Sequence, residues 1–191
     1  MAIPSGIDPA HPIAPSDTLS PSGADCAMAA LHVFSAAVGD ATRSHEVWPH
    51  LMTACREMMR VRFLSVLLFA PEAGTLTRLY SSDPETYPIG GEKRVDQTPA
   101  SQRALTSRTP FLANDLFEVE RFYGDAQQIA AMGCGSVLNV PVHLFGTAYG
   151  SINVLGAAGA FSSAHVAYLT IIAQMCTLPM RQALTEQGTR S

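Results

Sequence analysis

Apolar residues recur along this chain with two periods, and the changes from one to the other mark out its elements. Ala27, Leu31, Phe34 and Val38 return at helical spacing after Ala24, and Gly39 stops the run. A second helix is predicted near Ser44, with Val47, Leu51, Ala54 and Met58 on one face. Pro49 falls close to its first turn, where a missing N–H costs least. "RFLSVLLF" is a short continuous apolar run and reads as a buried strand. "APEAG" turns the chain, and "TLTRLYSS" returns as the partner strand of an antiparallel hairpin. Residues 82–97, "SDPETYPIGGEKRVDQ", are loop-rich. Thr98-Pro99 opens a helix over 98–107, a capping hydroxyl followed by proline at the first helical position. "RTPFLAND" holds a short strand, and "VERFYGDAQQIAAMG" is a single helix ended by Gly133. Strands over 136–144 and 148–155 flank a turn at 145–147. Ser162 caps a last helix carrying Val166, Leu169, Ile172 and Cys176 on one face, which Pro179 should kink or end.

Consecutive strands joined by tight turns predict an antiparallel sheet, and helices at both chain ends predict that these pair on one of its faces. The fold class expected is therefore α+β, with five to six strands. Residues 1–23 carry Pro4, Pro9, Pro12, Pro15 and Pro21 among serines and glycines and are expected to form a flexible arm. The domain is expected over 24–187, with 188–191 as a tail.

Two strands break the apolar pattern. In 136–144, Leu138, Val140, Val142 and Leu144 share a face, while Val137, Asn139, Pro141 and His143 share the other. In 148–155, Ile152 and Val154 oppose a face with Tyr149, Ser151, Asn153 and Leu155. If the apolar faces pack on the terminal helices, the polar ones converge opposite. An unpaired buried amide costs about 1–3 kcal/mol, so these groups need partners. A polar ligand pocket supplies them, and bonds to neighbouring backbone are the plain alternative. Alternation in "TLTRLYSS" adds Arg78, Tyr80 and Ser82 to one face, with the loop bearing Tyr87 placed as a lid. Arg78 could pair with an acidic ligand through its planar fork, or stand solvated like Lys93 and Arg94.

The helix ending in "DAQQIAAMGCGSVLNVPV", followed by "GTAYGSINVLGAAGAFSSAHVAYLTIIAQM", resembles a GAF domain. In that family a helix with an Asp and an Ile leads through glycine into a Ser-x-Leu-x-Val-Pro strand. A glycine-bearing hairpin strand and a Phe-Ser before the final helix follow. "ALTSRTPFLAND" is similar to the stretch ahead of that helix. The resemblance implies a sheet with terminal helices on one face and a ligand pocket, walled by short helices and loops, on the other. It implies small-molecule sensing, with cyclic nucleotides, linear tetrapyrroles, haem, and amino or oxo acids among the family's ligands. It also implies pairing of two copies through the terminal helices. Nothing in the 191 residues fits a fused effector, so a stand-alone sensory or regulatory domain for a small polar metabolite is expected. The pocket candidates are Arg78, Tyr80, Ser82, Tyr87, Asp125, Cys134, Asn139, Ser151 and Asn153, with the helix holding Phe122, Asp125 and Ile129 as a wall.

The alternative is an enzyme using the same pocket. Cys134, between Gly133 and Gly135, is the thiol candidate, with His143 and Asp125 as possible neighbours. One branch of the family, the free methionine-(R)-sulfoxide reductases, uses several cysteines near the pocket. Here Cys134 is the one cysteine between residues 56 and 175. No cofactor is predicted; His143, on the pocket face, is the candidate axial ligand if a haem binds. The six histidines show no metal spacing. Four scattered cysteines read as reduced thiols of a cytoplasmic protein. The net charge of −4 with no basic run argues against nucleic acid. The longest apolar stretch, "VAYLTIIAQMCTLPM", falls short of the ~20 residues that a membrane-spanning helix needs. No secretory signal is visible at the N-terminus.

Overall fold

The computed structural model describes residues 21–97 and 99–188. Most of the arm expected over 1–23 and most of the tail expected over 188–191 therefore lie outside the described residues, as does Thr98. Pro21 is not in an arm but at the start of α1 (Pro21–Asp40), where proline fits the first turn. A 3-10 turn at Ser44–Glu46 leads into α2 (Val47–Met58). The strands are β1 (Phe63–Ala70), β2 (Thr75–Ser81), β3 (Glu92–Arg94), β4 (Phe111–Ala113), β5 (Ser136–Leu144) and β6 (Thr147–Gly156). The remaining helices are α3 (Pro99–Ser107), α4 (Leu116–Phe122), α5 (Ala126–Ala131), α6 (Ser163–Met175) and α7 (Thr177–Gly188).

The six strands form one antiparallel sheet in the order β3-β2-β1-β6-β5-β4. The architecture is the α+β sheet expected from the pattern, with the short edge strand β3 hidden in what reads as loop. Even-numbered residues of the central strands, Leu64, Val66 and Leu68 of β1, Leu138, Val140 and Val142 of β5, and Ile152 and Val154 of β6, form the buried face. Against it pack Phe34 of α1, Trp48 and Leu51 of α2, Leu169 and Ile172 of α6, and Met180 of α7. At about 25 cal/mol per Å² of buried apolar surface, this layer is the main source of stability. The Tyr168 hydroxyl donates to the Ala54 carbonyl at 3.1 Å, tying α6 to α2. The final helix breaks at Cys176, three residues before Pro179, whose absent N–H could not have continued the ladder.

His165 sits in the first turn of α6, and its Nδ1 accepts from the Ser162 backbone N–H at 3.1 Å. Burial holds its pKa below the ordinary value of 6.5, opposed by a bond to the Met58 backbone. The unfolded imidazole thus takes a proton at a higher pH than the folded one, so acid favours unfolding. Stability should be fully present above about pH 6.5 and fall as the pH drops below it. His165→Gln should flatten that part of the profile. Urea midpoints between about pH 5 and 7 test this; equal slopes in the two proteins would contradict it.

Candidate functional site

The face of the sheet turned away from the terminal helices carries a line of polar side chains. Pairing sets Asn139 of β5 opposite Asn153 of β6, Asn153 opposite Ser65 of β1, and Ser65 opposite Ser81 of β2. Phe111 of β4 closes the row beside Asn139. Four central strands each place one polar residue at the same level, where their neighbours on the helix face are apolar. All four are buried, Asn139 to 2% and Asn153 to 6% residual exposure. A one-residue slip of either strand would send its member into the apolar core, so register and polar line specify each other.

Two bulges correct the simple alternation. Between Val66 and Leu67 the register shifts: Tyr80 pairs with Val66 but Arg78 pairs with Leu67, leaving Leu79 as the extra residue. Arg78 therefore faces the polar side, while Tyr80 packs with Leu79 against the helix-side core. The expectation that Arg78 and Tyr80 share a face is wrong for this reason. A second shift between Val142 and His143 makes Tyr149 the extra residue of β6 and turns it, too, against the helix-side core.

The helix expected across "VERFYGDAQQIAAMG" is broken into α4 and α5. Val119–Phe122 end the first helix, and Tyr123-Gly124-Asp125 form the joint. Glycine disfavours helix by about 1 kcal/mol and aspartate favours a helix start, so the break is local chemistry. It puts Asp125 at the mouth of a cavity on the polar face. Asp125 Oδ2 accepts from the Tyr87 hydroxyl at 3.0 Å and from Lys93 Nζ at 3.2 Å. Gln128 Nε2 donates to the Thr86 carbonyl at 3.0 Å, a second tie between α5 and the 82–91 loop. Arg78 Nη1 donates to the Pro88 carbonyl at 3.1 Å, and its guanidinium stands 5.0 Å from the centre of the Tyr87 ring. The loop is thus fastened over the polar face as a lid, held by Asp125 at one edge and Arg78 at the other.

Beneath it is a cavity with about 50 Å³ open to the centre of a water molecule. Phe63, Leu67, Ile129, Val137 and Leu155 give it apolar walls. Its polar lining comprises Ser65, Arg78, Tyr87, Lys93, Ser101, Tyr123, Asp125, Asn139 and Asn153. Four buried polar atoms of these residues make no hydrogen bond among the described residues: Arg78 Nε, Tyr123 OH, Asn139 Oδ1 and Asn153 Oδ1. Each such group costs about 1–3 kcal/mol when unmet, and all four belong to residues that line this one cavity. Burial lowers the Arg78 pKa, partly offset by Tyr87 and Asp125. Burial, reinforced by the Asp125 charge and hydrogen bond, raises that of Tyr87, which stays a phenol donor. Burial and then Asp125 do the same to Tyr123.

Of the residues singled out in the sequence, Arg78, Tyr87, Asp125, Asn139 and Asn153 line this cavity, and Ile129 with them. Tyr80, Ser82, Cys134 and Ser151 do not. Ser82 lies past the end of β2, its hydroxyl accepting from the Leu64 N–H at 3.0 Å. Ser151 shares the polar face, one row along, with its hydroxyl buried and without a partner among the described residues. Cys134 is buried in the cluster of Phe63, Ile129 and Val137, its thiol aimed at the Met132 carbonyl at 3.8 Å. Burial raises its pKa against the opposing charge of Arg62, which leaves it a poor nucleophile. His143 lies beyond the cavity, near the end of β5. Lys93, read as solvated, is instead paired with Asp125. Ser65, Ser101 and Tyr123 were not anticipated. Ser65 had a signal, the single polar residue inside "RFLSVLLF"; Ser101 and Tyr123 had none.

The family model of the GAF domain matches residues 44–178. No curated protein matches the chain. Among solved structures, the GAF domain of a phosphoenolpyruvate-protein phosphotransferase from Acinetobacter is similar, with TM-score 0.69 and 16% identity over 89% of this chain and 99% of that one. The corresponding domain from Coxiella burnetii gives TM-score 0.71 and 11% identity over 86% and 98%. A free methionine-R-sulfoxide reductase from Neisseria meningitidis, solved with its substrate, gives TM-score 0.66 and 12% identity over 88% and 96%. At these identities the likeness is one of fold.

Proposed function

The chain belongs to the GAF domain family, and from that premise we propose that it is a sensory domain whose cavity takes a small polar metabolite bearing an anionic group. The observation that carries this is the set of unmet polar atoms on residues that line the cavity, above all Arg78 Nε on a buried guanidinium. Lys93 is matched by Asp125, which leaves Arg78 as the cation with no carboxylate of its own. An entering carboxylate or similar oxyanion supplies that charge and accepts from the free Nε. The burial of Cys134 behind the cavity's apolar walls, outside its lining, favours binding over thiol chemistry. Ligand occupancy would stiffen the lid through Arg78 and Asp125, the two residues that already fasten it.

Native mass spectrometry of the purified protein, with an absorbance scan, tests the reading. A retained small ligand, lost in Asn153→Leu, is the expected result. That substitution should cost about 1–3 kcal/mol of binding, the usual toll of a removed polar partner, with little loss of fold. Unchanged retention in the variant would place the ligand elsewhere.

The outer surfaces of the terminal helices support a second part of the proposal, a homodimer. Met28 and Val33 of α1, Ile171 of α6 and Leu178 of α7 are all more than half exposed. Exposed apolar side chains on the terminal helices suit a second copy. Light scattering at tens of micromolar should give twice the 20.3 kDa chain mass; a monomer would count against it. No described helix is long and apolar enough to cross a membrane.

A further inference from the structure

Three of the chain's twelve lysines and arginines fall within seven residues, "REMMRVR", from Arg56 to Arg62. The fold bends this stretch along one wall of an open groove, at the end of the sheet where β1 begins and β6 ends. Arg56 comes from the last turn of α2. Past that helix the chain is extended at Met59 and then alternates: Met59 and Val61 are buried, while Arg60 and Arg62 are exposed on the other side. The loop 157–160, Ala-Ala-Gly-Ala, lines the groove between β6 and α6, with His165 of α6 beyond it. About 690 Å³ of the groove is open to the centre of a water molecule, within the ~300–1,000 Å³ of small-molecule sites. It shares no lining residue with the cavity under the lid. From this arrangement we propose a second ligand site, which takes a small soluble molecule by its phosphoryl or diphosphoryl group.

Structural duties account for only part of the arginine cluster. Arg56 suits the negative end of the α2 dipole. Arg62 Nη1 donates to the Gly133 carbonyl, which fixes that side chain and leaves other donors of its guanidinium to the groove. Arg60 lies past the helix, and its side chain makes no hydrogen bond among the described residues. None of the three is in an ion pair among those residues, and Glu57 is the one carboxylate in the lining. In a chain of net charge −4, three guanidiniums against one carboxylate make a local positive field that draws anions.

The kind of anion follows from the number of forks. A carboxylate has one charge and two oxygens, which one guanidinium meets in full. A phosphoryl group carries close to two charges at pH 7 and three acceptor oxygens, enough to bridge two or three arginines. The opposite loop has no side chain larger than methyl, so a tetrahedral group can come close to its backbone. His165 is wall and not donor, since its Nδ1 takes the Ser162 N–H and its ring also bonds to the Met58 backbone. No Phe, Tyr or Trp lines the groove, so there is no ring on which a base could stack, and recognition falls on the phosphoryl end. The concave shape gathers the arginines around one small group, whereas nucleic acid is held by a longer series of phosphate contacts.

Isothermal calorimetry on the full chain with inorganic pyrophosphate, at about 0.15 M salt to screen diffuse attraction, tests the site. Pyrophosphate should bind saturably, one per chain. Arg60→Gln and Arg62→Gln should each weaken it about 10-fold, the usual cost of one charge-assisted contact, and Glu57→Gln should tighten it. Arg181→Gln, at an exposed arginine of α7 outside the groove, is the control and should leave the affinity unchanged. A thermal scan checks folding; should Arg62→Gln lose stability with its tie to Gly133, Arg60→Gln still reads the site. No saturable binding, full affinity in Arg60→Gln, or an equal loss in Arg181→Gln would each overturn the proposal. Excess propionate should leave pyrophosphate binding as it is. Competition between them would put pyrophosphate in the cavity under the lid, which would overturn the second site and leave the anion-binding proposal for that cavity standing.

Discussion

Gly150→Ala should destabilise the protein by about 3–5 kcal/mol or prevent folding, the upper end of what single substitutions do. Gly150 lies on β6 opposite Leu68, with φ of +155°, in a region that side chains rarely adopt. A Cβ built there falls 2.0 Å from the Leu67 carbonyl oxygen and 3.0 Å from its carbon. Both contacts are backbone, so no side chain can swing aside. Relief requires the β1–β6 pair to open, and that pair is the centre of the sheet. The glycine also adjoins the bulge that turns Tyr149 to the core, so the same strain would disturb the aim of Ser151 and Asn153. Gly39 is the control. It lies near the end of α1 with nothing within 4 Å of its would-be Cβ, and alanine there should be neutral or stabilise by about 0.5–1 kcal/mol. Urea unfolding of both variants decides the matter. A Gly150→Ala midpoint close to the parent's would mean that the strands can part at little cost.

The sequence was legible where local pattern and tertiary structure ask for the same thing. Period-2 alternation in β5 and β6 identified both faces of the sheet, and Asn139 and Asn153 lie on the side that alternation gives them. It misled at Tyr80, because a bulge is made by the pairing of two strands and "TLTRLYSS" carries no mark of it. The break at Gly124-Asp125 did have a local signal, a helix-breaking glycine followed by a capping residue, outweighed by the apolar residues on either side. Lys93 could not be placed, because its partner Asp125 lies 32 residues away across the lid. The same holds for Ser101 of α3 and Tyr123 of the α4–α5 joint, brought to the cavity by packing that no short stretch encodes. Elements and faces were thus readable, while the walls of the site, which come from long-range contacts, were not.

Arg78→Met should abolish ligand binding while leaving the ligand-free protein as stable as before, or more so. In the parent, Arg78 is 6% exposed and has no carboxylate partner of its own. Its burial works against the charge, as the lowered pKa shows. Its compensations are a bond to the Pro88 carbonyl and the face of the Tyr87 ring, each worth about 1 kcal/mol. Methionine of similar length removes these along with the desolvation penalty, and such exchanges of a buried charge for an apolar side chain are often neutral or stabilising. Binding is different, because the ligand's anion would then enter a pocket with no counter-charge. The loss should be about 2–5 kcal/mol, or roughly 30-fold and upward. Lysine should not restore it, since an ammonium cannot hold Pro88 and present an Nε–H to the ligand at once. Thermal unfolding without ligand, and calorimetry with a short carboxylate such as propionate, give the two readouts. A variant destabilised by more than about 2 kcal/mol that still binds would make Arg78 a strut of the lid and not the residue that receives the ligand.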